Sequence, residues 1–394
     1  MSVANGRQFL SIPGPTNIPD SVLQAMMRPA VDIYTGPLIA ITDRLLADLK
    51  TIFRTKGQTF IYAANGHGGW EAALSNVLSR GDDVLVLESG RFALGWGEMA
   101  SVMGAHVERL PGEWHRAVDP RAVEARLAKD KAHKIKAVLV VQIDTASGVG
   151  NDISAIRKAM DAARHPALLM VDCVASLGCM RFEMDAWGVD VAMAGSQKGL
   201  MAPPGLAFVA ANPRALEAHK GANMKTHYWD WTFRQGPEHY QKYCGTPPEH
   251  LLFAQRAALD ILMEEGLEQA WKRHDLLARA THAAIAKWSE GQVVSFNIAE
   301  ASQRASSITN VRMKDVNTHL ITDYTRDKCG VTLGLGIGGY DGKAFRVAHM
   351  GHTNAPMVIG TLGAIEMALQ AHKIPHGSGG VSAAVECLAA AVPA

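Results

Sequence analysis

The sequence predicts an α/β fold: a mostly parallel sheet covered by helices, followed by a smaller α+β region. Three observations lead there. Short apolar runs without polar interruption recur between residues 59 and 210, with helical patterns between them. Strands apolar on both faces belong to sheets buried on both sides, and alternation with helices makes such sheets parallel. Two conspicuous polar residues, Asp172 and Lys198, stand at or just after the ends of such runs, where open α/β sheets bind their ligands. From about Ala254 the alternation gives way to long helices and then to a strand-rich piece.

Taken in order, residues 11–19 (Ser-Ile-Pro-Gly-Pro-Thr-Asn-Ile-Pro) form an irregular opening, because three prolines forbid a helix. The segment is too apolar for a disordered tail and is expected to lie against the body of the protein. Apolar spacing predicts a helix over 38–53 and a strand over 59–63. Asn65-Gly66-His67-Gly68-Gly69-Trp70-Glu71 then forms a glycine-rich turn opening a helix that runs to Arg80-Gly81. Glycines let backbone N–H groups approach an anion, and the helix dipole favours negative charge there; seen alone, the stretch is equally ordinary turn chemistry. Further strands are expected over 84–87, 137–141, 167–171, 189–194 and 206–210, with helices at 120–128 and 153–163. A long helix over 251–264 is closed by Gly266, and more helix reaches Trp288. Strands at 306–312 and 330–333 follow. The resulting division is a leading segment, 1–20, near the site, a large domain, 21–253, and a small C-terminal domain, 254–394.

At 394 residues the chain can bury a large core and is expected to hold two domains. Its 39 Lys and Arg balance 38 Asp and Glu, so nothing points to nucleic acid or an anionic membrane as partner. No apolar stretch approaches the ~20 residues that span a bilayer, and the first residues lack the pattern of a secretory signal. Five cysteines, at 173, 179, 244, 329 and 387, form no CxxC and leave one unpaired. They read as reduced thiols of a cytoplasmic protein.

Chemistry concentrates at two places. Lys198 follows an apolar run and precedes the rigid Pro203-Pro204-Gly205 turn. A desolvated amine loses its proton more readily, and a neutral amine forms a Schiff base with an aldehyde; a lone lysine in this position would otherwise be one snorkelling from a loop. Asp172 ends a buried-type strand, where a carboxylate is costly unless it meets a cation. Alone it would be a helix N-cap or a metal ligand. Together, Lys198 and Asp172 match what pyridoxal phosphate requires, a lysine for its aldehyde and a carboxylate for its pyridinium nitrogen, and the glycine-rich turn at Gly66 supplies a phosphate cradle. Residues 334–339 match GxGxxG, but no helix follows at once, so the dinucleotide reading fails its context. Arg346, in an otherwise apolar strand, calls for a carboxylate, either in a structural ion pair or on an amino acid substrate. His349 and His352 lack a third ligand and are read as structural, with no metal site.

Several motifs then resemble one family. Asp172-Cys-Val-Ala-Ser-Leu-Gly178 and Gly195-Ser-Gln-Lys198-Gly-Leu-Met-Ala-Pro-Pro-Gly205 resemble the class V, fold-type I aminotransferases that use pyridoxal 5'-phosphate, and within them the serine/alanine–glyoxylate branch. Pro13-Gly14-Pro15-Thr16-Asn17, Asn65-Gly66-His67, Gly90-Arg-Phe92, Thr145-Ala-Ser-Gly148 and Phe345-Arg346-Val-Ala-His-Met-Gly351 extend the likeness over nearly the whole chain. The resemblance implies a large domain with a mostly parallel seven-stranded sheet. It makes Lys198 the cofactor-bearing lysine and Asp172 the partner of the ring nitrogen, with Val174 and Phe92 on the two ring faces and Thr145 near the ring hydroxyl. Gly66, His67 and Gln197 would bind the phosphate, joined by Tyr243 and Thr246 of a neighbouring subunit. That implies a homodimer with shared active sites, with tetramers left open. Arg346 would clamp the substrate carboxylate and Gly14 would border the substrate.

The implied reaction is ping-pong transfer of an amino group from serine, aspartate or alanine to glyoxylate or a similar 2-oxo acid. One departure bears on the donor: where many relatives carry an Asp-His-Arg-Ser-Pro-like stretch, this chain has Asp32-Ile-Tyr-Thr-Gly-Pro37. A specialised amine, as in a pyridoxamine–pyruvate aminotransferase, is an alternative. So is a lyase or cysteine desulfurase of the same fold, for which Cys329 is the candidate nucleophile by position. A pyridoxal phosphate-binding regulator would carry an added DNA-binding module, and no basic helix-turn-helix segment precedes Pro13.

Overall fold

The structure, a computed structural model, describes residues 2–392. In chain order its strands are β1 (Phe9–Ser11), β2 (Gln58–Ala63), β3 (Asp83–Leu87), β4 (His106–Leu110), β5 (Ile135–Val141), β6 (Ile143–Asp144), β7 (Val149–Gly150), β8 (Leu168–Asp172), β9 (Val191–Gly195), β10 (Leu206–Ala211), β11 (Val294–Phe296), β12 (Ile308–Met313), β13 (Val331–Leu335) and β14 (Ala344–Ala348). The first four helices are α1 (Asp20–Ala25), α2 (Pro37–Phe53), α3 (Gly66–Val77) and α4 (Arg91–Met103).

Seven strands form one sheet in the order β2-β10-β9-β8-β5-β3-β4. Only β10 runs against its neighbours, and every other pairing is parallel. The reason lies in the sequence. Along β5, Val138 and Val140 pack with Leu169, Val171 and Phe208 on one face, while Ala137 and Leu139 pack with Met170, Met193 and Val209 on the other. Both faces are apolar, so both need helices, and α2 and the helix Glu249–Glu265 cover one face while α3 and α4 cover the other. The edge strand β4 was absent from the sequence reading. It is half-exposed, His-Val-Glu-Arg-Leu, and has no apolar run to announce it.

A second sheet has the order β1-β13-β14-β12-β11. The irregular stretch expected over 11–19 is preceded by β1, which overlaps it only at Ser11 and pairs Phe9 with Val331 and Ser11 with Leu333 in parallel register. Three residues are too few for any period to show. Beyond Ser11 the prolines take over, and the segment crosses to the large sheet: Thr16 donates its backbone N–H to the Gln197 carbonyl (3.1 Å) and its hydroxyl to the Lys198 carbonyl (3.1 Å). The change of pattern near residue 254 coincides with a helix rather than a loop. It falls inside the helix Glu249–Glu265, whose Leu252, Phe253, Leu259 and Leu262 pack into the core of the large sheet.

The glycines of the GxGxxG match close β13 and form a short 3-10 turn, Gly338–Tyr340, which Tyr340 pins by donating its hydroxyl to the Trp114 carbonyl (2.9 Å). His349 is buried between the Ser306 carbonyl and the Thr309 hydroxyl, whereas His352 is exposed. Among the described residues no group of three or more His, Cys, Asp or Glu could hold a metal, and no helix is long and apolar enough to cross a membrane.

Arg234 ties residues 228–243 to β2. It is buried and, among the described residues, has no carboxylate partner. It donates to the carbonyls of Ile61 (2.9 Å), Tyr228 (2.7 and 2.9 Å) and Lys242 (2.6 Å), and its guanidinium lies 4.1 Å from the Tyr62 ring centroid. Arg234→Ala is expected to destabilise the protein by about 3 kcal/mol, since several charge-assisted bonds are lost at once. Urea unfolding midpoints check this. Arg234→Lys should recover less than half the loss, because an ammonium cannot fork between three carbonyls.

Candidate active site

The strands that run parallel present their carboxyl ends along one edge, and five of those ends meet there. After β2 come Asn65, Gly66 and His67; after β3 comes Phe92; after β5 come Ile143 and Thr145; β8 ends at Asp172; and Lys198 follows β9. They line one cavity of about 260 Å³ together with Trp70, Val141, Val174, Ala175 and Gln197.

Each side of the cavity has its own chemistry. On one side lies the N-terminus of α3. Asn65 caps it by accepting from the Gly68 N–H (3.2 Å), which leaves the N–H groups of Gly66 and His67 without intrahelical acceptors. Beside them the Gln197 side-chain oxygen is buried and unpartnered. An anion placed there would meet free donors and the positive end of a helix.

On the floor, Asp172 is 3% exposed and accepts two hydrogen bonds of 2.7 Å, from Trp70 Nε1–H and from the Val174 N–H. Burial raises its pKa to about 6 in spite of these donors, with the Asp144 carboxylate adding to the rise. Lys198 stands on another side with its amine donating to the Pro13 carbonyl. Burial, then the nearby Arg346 charge, lower its pKa to about 8, while Asp172 opposes the shift. The two opposite charges share the cavity but form no ion pair with each other.

Gly14 is where the leading segment touches the lysine. A Cβ there would lie 2.5 Å from Cδ, Cε and Nζ of Lys198, and φ is +100°, so only glycine fits. Arg346, on β14, donates to the carbonyls of Leu335 (2.7 Å) and Thr145 (3.2 Å). Among the described residues it forms no ion pair, contrary to one of the two readings of the sequence; burial depresses its pKa to about 10, with Asp144 opposing.

Of the residues singled out from sequence, Gly66, His67, Phe92, Thr145, Asp172, Val174, Gln197 and Lys198 line the cavity, and Gly14 and Arg346 adjoin its lysine and its Thr145 wall. Tyr243 and Thr246 do not line it. Tyr243 is buried in its own chain with its hydroxyl on Thr42 Oγ1 (2.7 Å), and only Thr246 is exposed.

The sequence reading missed two residues. Trp70 lies one helical turn after Gly66, hence on the same face. Asp144 is fully buried and accepts from the N–H groups of Phe92, Ala93 and Ala146, each at 3.0 Å. Its pKa is about 6, raised by burial. The signal that exposed Asp172, a carboxylate just past an apolar strand, was present for Asp144 as well.

A seven-stranded α/β fold with a near-neutral lysine, a facing carboxylate and an anion cradle defines an enzyme that works through a carbonyl-bearing cofactor. The comparisons narrow that class. Residues 9–338 match the family Aminotransferase class-V, and the chain belongs to it. It is 40% identical to the serine–glyoxylate aminotransferase of Methylorubrum extorquens over 95% of this chain and 94% of that one. It is 36% identical to the L-aspartate–glyoxylate aminotransferase of Paracoccus denitrificans, again over 95% and 94%. The solved structure of pyridoxamine–pyruvate aminotransferase from Mesorhizobium loti superposes with a TM-score of 0.90 at 27% identity, covering 100% of both chains. The protein is therefore an enzyme, an aminotransferase.

Two outcomes follow from this geometry. The Lys198 amine should react as a base of pKa about 8. Competitive labelling with trace acetic anhydride, read by peptide mass spectrometry, should show its reactivity rising through pH 8 and levelling above it. An ordinary lysine still gains reactivity up to about pH 10.4. Gly14→Ala should displace the amine and slow its capture of pyridoxal phosphate by about 100-fold, the cost of a misplacement of about 1 Å; borohydride trapping measures the rate.

Proposed function

We propose that the protein moves the amino group of a small L-amino acid, serine, aspartate or alanine, to glyoxylate or a similar 2-oxo acid, with pyridoxal 5'-phosphate as cofactor and by a ping-pong sequence. The observation that carries the reading is the Lys198 amine and the Asp172 carboxylate held on one cavity without pairing, beside the free N-terminus of α3. The likeness to serine– and aspartate–glyoxylate aminotransferases supports the choice of donors and acceptor.

The residues fit the cofactor. When bound, pyridoxal phosphate supplies an aldehyde for the lysine and a ring that withdraws electrons from the substrate's Cα. The N–H groups of Gly66 and His67, with the Gln197 amide, take its phosphate. Asp172 would meet the ring nitrogen and keep it protonated, while Phe92 and Val174 would cover the ring and exclude water. Thr145 stands near the ring hydroxyl. The Lys198 amine, free once an amino acid takes its place, would carry the proton from Cα to the carbon two atoms along, for which a pKa near 8 suits it. Arg346, charged and without a carboxylate of its own, receives the substrate's carboxylate, and the backbone at Gly14 borders it.

Two finer points belong to the same reading. The enzyme acts as a homodimer in which the exposed Thr246 reaches the neighbouring subunit's phosphate; Tyr243 joins it only if its hydroxyl leaves Thr42. It works in the cytoplasm, in keeping with five cysteines that are all free. The desulfurase alternative loses ground because Cys329 packs half-buried against the small core, away from the cavity, with burial raising its pKa.

The test is direct. Purified protein with bound cofactor is mixed with L-serine, L-aspartate or L-alanine, the cofactor's absorbance is followed, and glyoxylate is then added. Loss of the band with a donor and its return with glyoxylate is the expected result; a band that never converts would sink the aminotransferase reading. Arg346→Gln should raise the donor KM by about 100-fold, the loss of a charge-assisted bidentate contact, with a smaller effect on kcat. Steady-state kinetics checks it.

A further inference from the structure

Trp70 does more than fill space. Its ring stacks on Trp96 (centroids 6.1 Å apart, 16° between planes) and meets the edges of His67 (4.5 Å) and Phe92 (6.4 Å). A phenylalanine would serve such packing. Trp96, stacked alongside, is equally buried, and its own indole nitrogen has no partner. Trp70 alone of the pair turns its N–H into the cavity, and it does so onto Asp172 Oδ2 at 2.7 Å.

With the Val174 N–H on Oδ1, each oxygen of Asp172 then has one fixed donor, and the carboxylate cannot rotate. The other groups that act on it are the Asp144 carboxylate, the Lys198 amine and the neighbouring Cys173 thiol, with Arg346 beside Lys198. Only Lys198 among them favours the anion from a distance. The two N–H donors therefore carry most of what keeps a buried Asp172 ionised near neutrality.

We propose that Trp70 is a positioning residue: its indole N–H fixes the orientation of the Asp172 carboxylate and holds it as an anion for the cofactor's ring nitrogen. The inference rests on the pyridoxal phosphate reading above. It also gives α3 a double task. The first turn of the helix meets the phosphate through Gly66 and His67, and Trp70, one turn on, secures the residue that meets the far side of the ring. A single helix thereby sets the distance between both ends of the cofactor's site.

The test uses the apoprotein and Trp70→Phe, reading pyridoxal phosphate affinity against pH. The ring nitrogen gains from an ionised Asp172, so affinity is full above the pKa of that residue and falls as pH drops through it. Removing a donor to the anion raises that pKa. The midpoint of the fall should move up by about one unit, the tenfold effect of one charge-assisted bond. In the loaded enzyme kcat should fall about tenfold while the substrate KM stays within about twofold, since the substrate's own contacts are untouched. The analogue with C–H in place of the ring nitrogen should show the same pH curve with both proteins, because a C–H gains nothing from an ionised Asp172 and its binding does not follow that residue's titration.

An unmoved midpoint with an unreduced kcat overturns the proposal and leaves Trp70 as packing. An equal shift with the C–H analogue overturns it too, by tracing the loss to the phosphate cradle. If wild-type protein fails to bind pyridoxal phosphate at any pH, the cofactor reading falls and takes the proposal with it, a result unlike either of the others. Should Trp70→Phe not fold, β-(3-benzothienyl)alanine at position 70 keeps the ring volume, replaces N–H by sulfur and gives the same readout.

Discussion

The structure depends on keeping two opposite charges buried near each other and apart. Lys198 and Asp172 face one cavity without an ion pair, and each bears the desolvation that a direct contact would relieve. The cost is visible in opposite pKa shifts, the amine down to about 8 and the acid up to about 6. A protein under selection for stability alone would close the gap. Here the surroundings hold it open: Pro13 occupies the amine, and Trp70 and Val174 occupy the acid. Strain of this kind at a site is what a bound molecule with a carbonyl at one end and a basic nitrogen at the other would release.

The scaffold makes the arrangement possible by aligning strand ends. A parallel sheet places every carboxyl terminus on one edge, so residues far apart in sequence, Gly66, Phe92, Thr145, Asp172 and Lys198, arrive within one cavity. The leading segment then closes the lysine's side. It starts as a strand of the second sheet and ends hydrogen-bonded to the Gln197 and Lys198 carbonyls, with Gly14 against the lysine's own methylenes. Through it, and through Arg346 on β14, the second sheet takes part in a site whose main walls belong to the first.

Much of this could be read in the sequence because it rests on local signals. Unbroken apolar runs gave six of the seven strands of the large sheet to within a residue or two; β4, half-exposed and broken by His106, Glu108 and Arg109, carries no such run. Lys198, Asp172 and the Gly66 turn stood out as polar or glycine-rich interruptions at strand ends. What escaped was side-chain geometry across elements. Trp70 reads as an ordinary core tryptophan until β8 is placed beside α3, and the buried Tyr243 reads as a candidate ligand until Thr42 is found on its hydroxyl. The composition change near residue 254 falls within a long helix, Glu249–Glu265.

Asp144 shows how the charges around the cavity are coupled. Two acids, Asp144 and Asp172, and two bases, Lys198 and Arg346, sit close enough to act on one another. Asp144 is fully buried. It accepts three backbone N–H groups, including those of Phe92 and Ala93 at the start of α4, and a side chain on Gly90 would come within 2.3 Å of its carboxylate. It raises the pKa of Arg346 and so helps keep that guanidinium charged in its buried strand. Arg346 in turn lowers the pKa of Lys198. A carboxylate that settled on Arg346, as proposed above, would offset this last effect, and the amine would then bind its proton more tightly. On that reading the amine is less basic without a carboxylate on Arg346 than with one, and the second state is the one in which it has to accept a proton.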